Sequence, residues 1–179
     1  MKGRKRIFGF IGFIVLAAGI LAWAVFRPER LWVNARVNES PPATVSTVPA
    51  TGPTTSSPVV LATGSFHGVA HKGVGTAAVY QLADGKRILR FTNFETSNGP
   101  DVRVYLVATG DARDSEAVKK AGFVEVGTLK GNIGDQNYEL PATIDLAQYR
   151  AVTIWCKRFS VNFATAPLTT VRPPTVRNS

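Results

Sequence analysis

Residues Thr76–Phe94 read TAAVYQLADGKRILRFTNF, and their pattern decides the fold class. Thr76–Leu82 and Arg87–Phe94 are rich in aliphatic, β-branched and aromatic side chains, which fit a pleated, half-buried surface. Between them stands Asp84-Gly85, a dipeptide favoured in tight hairpin turns because it tolerates positive φ. Two such runs around such a turn predict an antiparallel hairpin. Outward from it the same grammar repeats. Val102, Val104 and Leu106 alternate with Arg103 and Tyr105, the period of a half-buried strand. Phe123–Leu129, Asn137–Leu140, Val152–Cys156 and Phe159–Phe163 are further strand-like runs, and Gly99-Pro100-Asp101 and Gly131-Asn132-Ile133-Gly134-Asp135 are turns by composition. Only Ser115–Ala121 has helical character, with Gly122 placed to end it. About seven or eight short strands with frequent turns predict an all-β domain over residues 63–170, an antiparallel β-sandwich or barrel.

The flanks have other compositions. Residues 7–26, IFGFIGFIVLAAGILAWAVF, carry no charge, and twenty residues at about 1.5 Å each match a hydrocarbon core of roughly 30 Å. Lys2, Arg4, Lys5 and Arg6 precede them, against Arg27 and Arg30 after. Basic residues stay on the cytoplasmic side, so the expectation is one transmembrane helix with residues 1–6 inside and the domain outside, periplasmic or extracellular. Ala22-Trp23-Ala24 has the form of a signal-peptide cleavage site, but the apolar run is long for a signal peptide, which favours a retained anchor. Residues 27–62 are expected to be a spacer. Their second part, Asn38–Ala62, has five prolines, many Ser and Thr and no aromatic residue, too little to build a core. Residues 171–179 read as a disordered tail.

The formal charge of +9 does not mark a nucleic-acid-binding protein. Within residues 63–170 there are 12 Lys/Arg against 10 Asp/Glu, so the excess lies in the flanks, where it is a topology signal. No nucleic acid is expected as a partner; the membrane, through residues 7–26, is.

Candidate chemistry centres on Cys156, the single cysteine, which excludes an intramolecular disulfide and dithiol chemistry within one chain. Two readings of it stay open. Strand alternation puts Cys156 on the face of Val152 and Ile154, as a small buried hydrophobe. Lys157 and Arg158, if the strand ends there, would stabilise a thiolate, the nucleophile and metal ligand. His67 and His71 are the two histidines. Along an extended strand they would stand about 13 Å apart, too far for one metal ion, although Gly68, Gly73 and Gly75 permit a bend. Cys156 with one histidine is a conceivable ligand pair for haem iron or copper, and no C-x-x-C-H haem attachment site is present. Asp101 and Asp135 follow glycine in the turn segments Gly99-Pro100-Asp101 and Gly134-Asp135, where a backbone hydrogen bond is their default role. A cysteine hydrolase built on Cys156, a histidine and Asp101 lacks a nucleophile elbow.

Four ordered segments carry a family resemblance: Thr92–Asp101 (TNFETSNGPD), Val102–Leu106 (VRVYL), Gly127–Tyr138 (GTLKGNIGDQNY) and Ile154–Phe163 (IWCKRFSVNF). Together, and from Gly64-Ser65-Phe66 to Ala166-Pro167-Leu168, the chain resembles the DM-thirteen or "electron transfer DM" domain. The resemblance implies a small extracellular β domain with redox or electron-transfer work through Cys156, either as a naked thiol or holding a prosthetic group such as haem. The cofactor is otherwise unknown, and the sequence requires none. The competing expectation is a non-catalytic surface module that binds protein or glycan, with Cys156 packed in the core.

Overall fold

The computed structural model describes residues 12–23, 33–42 and 58–171. Residues 12–23 are helical (α1). Twelve residues reach about 18 Å, and among the described residues no helix is long and apolar enough to cross a membrane. The rest of the expected span, at 7–11 and 24–26, lies outside the described residues, as does the tail at 172–179.

The domain is a two-sheet β-sandwich with eleven described strands: β1 (Arg36–Asn38), β2 (Val59–Ser65), β3 (His67–Gly68), β4 (Gly73–Gln81), β5 (Arg87–Thr96), β6 (Val102–Val107), β7 (Phe123–Thr128), β8 (Ile133–Leu140), β9 (Ala151–Cys156), β10 (Val161–Pro167) and β11 (Thr169–Thr170). One sheet has the order β1-β8-β5-β4-β2-β11, the other β3-β10-β9-β6-β7. All pairings are antiparallel except that of β1 with β8. The expected β4–β5 hairpin is present; its turn runs over Leu82–Lys86, with Leu82 N–H bonded to the Lys86 carbonyl, and Gly85 takes φ 84°.

Period-two alternation delivers the core. Ala77 and Val79 of β4, Leu89 and Phe91 of β5, and Tyr138 and Leu140 of β8 meet Val104 and Leu106 of β6 and Val152, Ile154 and Cys156 of β9. Phe66, Phe91 and Phe94 pack edge-on or tilted, with centroids 4.9–5.1 Å apart. Phe94 faces inward because the register slips between Phe91 and Glu95. Asn93 takes φ 51° there, beside Gly75 at φ 100° in β4, whose own register slips between Val74 and Thr76. A Cβ on Gly75 would stand 2.7 Å from the Asn93 carbonyl oxygen, so the facing bulges need glycine. The outer face of the second sheet is also covered: Tyr105, Val107, Ala151 and Trp155 pack with Ala112 and with Val118 of α2 (Ser115–Ala121). Asp114 caps that helix by accepting from Ala117 N–H at 2.7 Å, and Gly122 (φ 79°) ends it.

Several expectations change. The strand count exceeds seven or eight because short edge pieces are ordered by their neighbours. β8 starts at Ile133, inside the run taken for a turn, because β5 and β1 pair on both its sides. β10 starts at Val161 and reaches Pro167, while Phe159 lies in the turn before it and is exposed. The spacer of 27–62 also contains structure: β2 begins at Val59, and residues 35–39 pair through their backbone with β8. The end of that stretch even joins the core, with Ala62 fully buried and Leu61 packed beside it, while β1 is held because backbone groups can pair with an open sheet edge whatever their side chains.

A chain beginning at Leu61 therefore loses β1 and the first residues of β2. Thermal unfolding should show a Tm lower by several degrees than that of a chain beginning at Val33; equal values would contradict the docked edge.

Candidate functional site

Cys156 ends β9. Its cross-strand partners are Val102 on β6 and Val161 on β10, and it is fully buried within the inter-sheet cluster. Lys157, one residue on, points the other way. Its Nζ donates to Glu125 Oε2 at 3.3 Å, and its N–H donates to the Asp101 carbonyl at 2.8 Å. The cation that would have drawn out a thiolate thus serves a surface ion-pair network instead. Arg158 is exposed in the turn that follows.

The histidines lie apart from that network. His67 on β3 shares a hydrogen bond through Nε2 with Asp111 Oδ1 at 2.9 Å, and Arg113 Nε donates to Asp111 Oδ2 at 2.9 Å. Together with Gly68 and Val69 these residues line an open hollow of about 420 Å³. His71 packs its ring on Phe163, centroids 3.9 Å apart. The backbone between the histidines is bent: a Cβ on Gly68 would stand 2.5 Å from the His71 carbonyl oxygen. Among the described residues no group of three or more His, Cys, Asp or Glu side chains is placed to hold a metal ion. Asp101 is bound to Arg103, and the partner of His67 is Asp111, so Cys156, histidine and Asp101 form no triad.

A larger groove, about 820 Å³, opens where the β5–β6 loop, the start of β6 and the β7–β8 loop meet residues 33–35. Its polar walls are Asn98, Asp101, Arg103, Lys130 and Asn132; Pro100, Val102 and Leu129 add apolar surface. Arg103 crosses the wall, donating from Nε to Asp101 Oδ1 at 2.5 Å and from Nη1 to Glu125 Oε1 at 3.0 Å. The hydrogen bond it donates to Asp101 is the main reason its guanidinium is held more firmly protonated than usual. Tyr105 has its hydroxyl pKa raised, first by burial and then by the Glu125 charge. Asn132, buried, donates to Asn34 Oδ1 and to the Thr96 carbonyl and accepts from Ala35 N–H.

Sequence reasoning missed this groove. Most of its residues stand in turn-like segments far apart in sequence, so no periodicity marks them as a group. The available signal was the pair of segments 97–103 and 127–132, both inside the recognisable blocks and brought to one end of the sandwich by β6 and β7.

The family model of Electron transfer DM13 matches residues 65–168, more than half of the chain. The chain belongs to this family. Comparisons with curated proteins and with solved structures give no match. Among the described residues, those lining the two hollows do not fit the prosthetic group that the family resemblance implies. The larger groove is lined by no cysteine, histidine or methionine. The smaller hollow offers His67 alone, already bonded to Asp111, and Cys156 lines neither.

Replacing Cys156 with Ser should place a hydroxyl in the apolar interior and cost about 1–3 kcal/mol. Chemical denaturation should show a lower midpoint with unchanged slope; an unaltered midpoint would put the side chain outside the core.

Proposed function

We propose that this DM13-family chain is an extracytoplasmic binding module, anchored by residues 7–26 in the cell membrane, with Cys156 a core residue and the groove at Asp101, Arg103 and Lys130 its recognition surface. The partner is a protein or glycan outside the cell. The complete burial of Cys156 carries this reading, since a thiol enclosed by packed side chains exchanges slowly with any soluble reagent. The groove adds to it, because both loop segments that build it belong to the blocks by which the family is recognised. Paired charges and planar amides around a modest apolar floor suit a polar ligand surface.

A second reading, electron transfer, is favoured by the description of the family itself. Its carrier would be Cys156, reached through local opening near Val102 and the turn at Lys157–Ser160. Purified full-length chain separates the two. The binding reading predicts an absorption spectrum with protein bands alone, and binding to cell surfaces or glycans that falls at least several-fold on Arg103→Glu with Lys130→Glu. A visible chromophore that disappears in Cys156→Ser would overturn it in favour of electron transfer.

The anchoring rests on the uncharged run and on the bias of basic residues before it. Protease added to intact cells should remove residues 63–170 while the first residues stay protected; recovery of the domain from the cytosol would refute the topology.

A further inference from the structure

The outer edge of β8 is shaped to receive a strand. β1 lies along it in parallel, with Arg36, Val37 and Asn38 opposite Ile133, Gly134 and Asp135. Gly134 has φ 101°, and any Cβ there would collide with the Val37 carbonyl oxygen; a Cβ on Gly131 would stand 2.5 Å from the Ala35 carbonyl oxygen. Two glycines thus let the added backbone approach closely.

Side chains of the DM13 domain grip the same segment by its main chain. Asn132 Oδ1 accepts from Ala35 N–H at 2.8 Å. Arg90 Nη1 donates to the carbonyls of Glu39 and Ser40 at 3.0 and 3.1 Å, and Asn137 Nδ2 donates to Ser40 at 2.8 Å. Arg90 is buried and is itself fixed by Asp135 Oδ2 at 2.5 Å and Asn137 Oδ1 at 3.0 Å. Two side chains of the segment are also read. Asn34 Oδ1 accepts from Asn98 and Asn132, and the Glu39 carboxylate accepts from Asn137 N–H at 2.6 Å and from Lys130 Nζ at 2.7 Å.

Three facts bear on how the segment is attached. No residue of 33–42 belongs to either apolar cluster, so its removal opens no core. The receiving residues lie within the family match of 65–168, whereas the segment lies before it. Fifteen residues, 43–57, separate the described pieces, and a fully extended chain of that length spans up to about 50 Å. That length allows a segment to meet its own β8 or that of a neighbouring chain.

We propose that the β8 edge is a strand-acceptor site, and that two copies of this chain exchange residues 33–40 across it in a closed, two-fold dimer. A second copy presents the same Asn34, Glu39 and backbone, so every contact is reproduced reciprocally and no new interface has to be formed. The balance between the closed monomer and the exchanged dimer then depends on chain length between the segment and β2 and on protein concentration.

Arg36 and Ile133 face each other in register, which allows a test in full-length protein with buried Cys156 left in place. Chains carrying Arg36→Cys and one tag are co-expressed with chains carrying Ile133→Cys and another. Oxidation should give a mixed disulfide several-fold above a control in which Lys119→Cys, on the distant α2, replaces Ile133→Cys. The mass of wild-type protein in mild detergent should include a dimer whose share falls at least several-fold in Glu39→Lys. A mixed disulfide no stronger than the control overturns the proposal. So does a wild-type chain that remains monomeric at the highest soluble concentration, a result that does not depend on the cysteine variants folding.

Discussion

Adjacent residues of β9 point to opposite faces of their sheet, so Val152, Ile154 and Cys156 enter the space between the sheets while Trp155 packs outward with Tyr105 and Val118. The rest of the chemistry follows from this alternation. β9 is the middle strand of its sheet's β10-β9-β6 core, and both its faces are covered. Cys156 has a neighbour strand on each side and a second sheet above it. Lys157 must then emerge on the far side, where Glu125 and Arg103 take it into a surface network.

Where the sequence was periodic, it was legible. The β4–β5 hairpin, the alternation of β6, the helix at Ser115–Ala121 with its glycine stop, and the inward face of β9 all follow from spacing of two or from cap chemistry. Edge strands were not legible. β1 and β11 have three and two residues, and nothing in Arg36-Val37-Asn38 distinguishes a strand from a spacer; the partner creates it. The same physics hid the start of β8, since Gly134 and Asp135 have turn composition but their conformation is fixed by strands on both sides. Of the candidate site, burial of Cys156 was one of two open readings, and the groove was invisible because loops far apart in sequence make it.

The polar residues of the run Gly131–Tyr138 acquire a structural meaning from this arrangement. Asn132, Asp135 and Asn137 hold the added segment directly or through Arg90. Gln136 and Tyr138 close on each other beneath it: the Tyr138 hydroxyl donates to Gln136 Oε1 at 2.6 Å, and burial pushes its pKa well up. Glu39 titrates as part of the same lock. Burial raises its pKa, but the hydrogen bonds from Lys130 and Asn137 and the charges of Lys130 and Arg90 outweigh it, leaving the value below the ordinary 4.5. A depressed carboxylate contributes its stability above the unfolded value and loses it as pH falls through the folded one, so the contribution of Glu39 to the docked segment is present at neutral pH.

Both the packing of the sandwich and its proposed role as a binding module require the thiol of Cys156 to be enclosed in the native fold. The most direct test is the rate at which a small thiol reagent labels native full-length protein, compared with the same protein unfolded in denaturant. Enclosure predicts labelling slowed by several orders of magnitude in the native state, recovering fully on unfolding. Labelling of the native chain at the rate of the unfolded one would place Cys156 at the surface and return the DM13 domain to thiol chemistry.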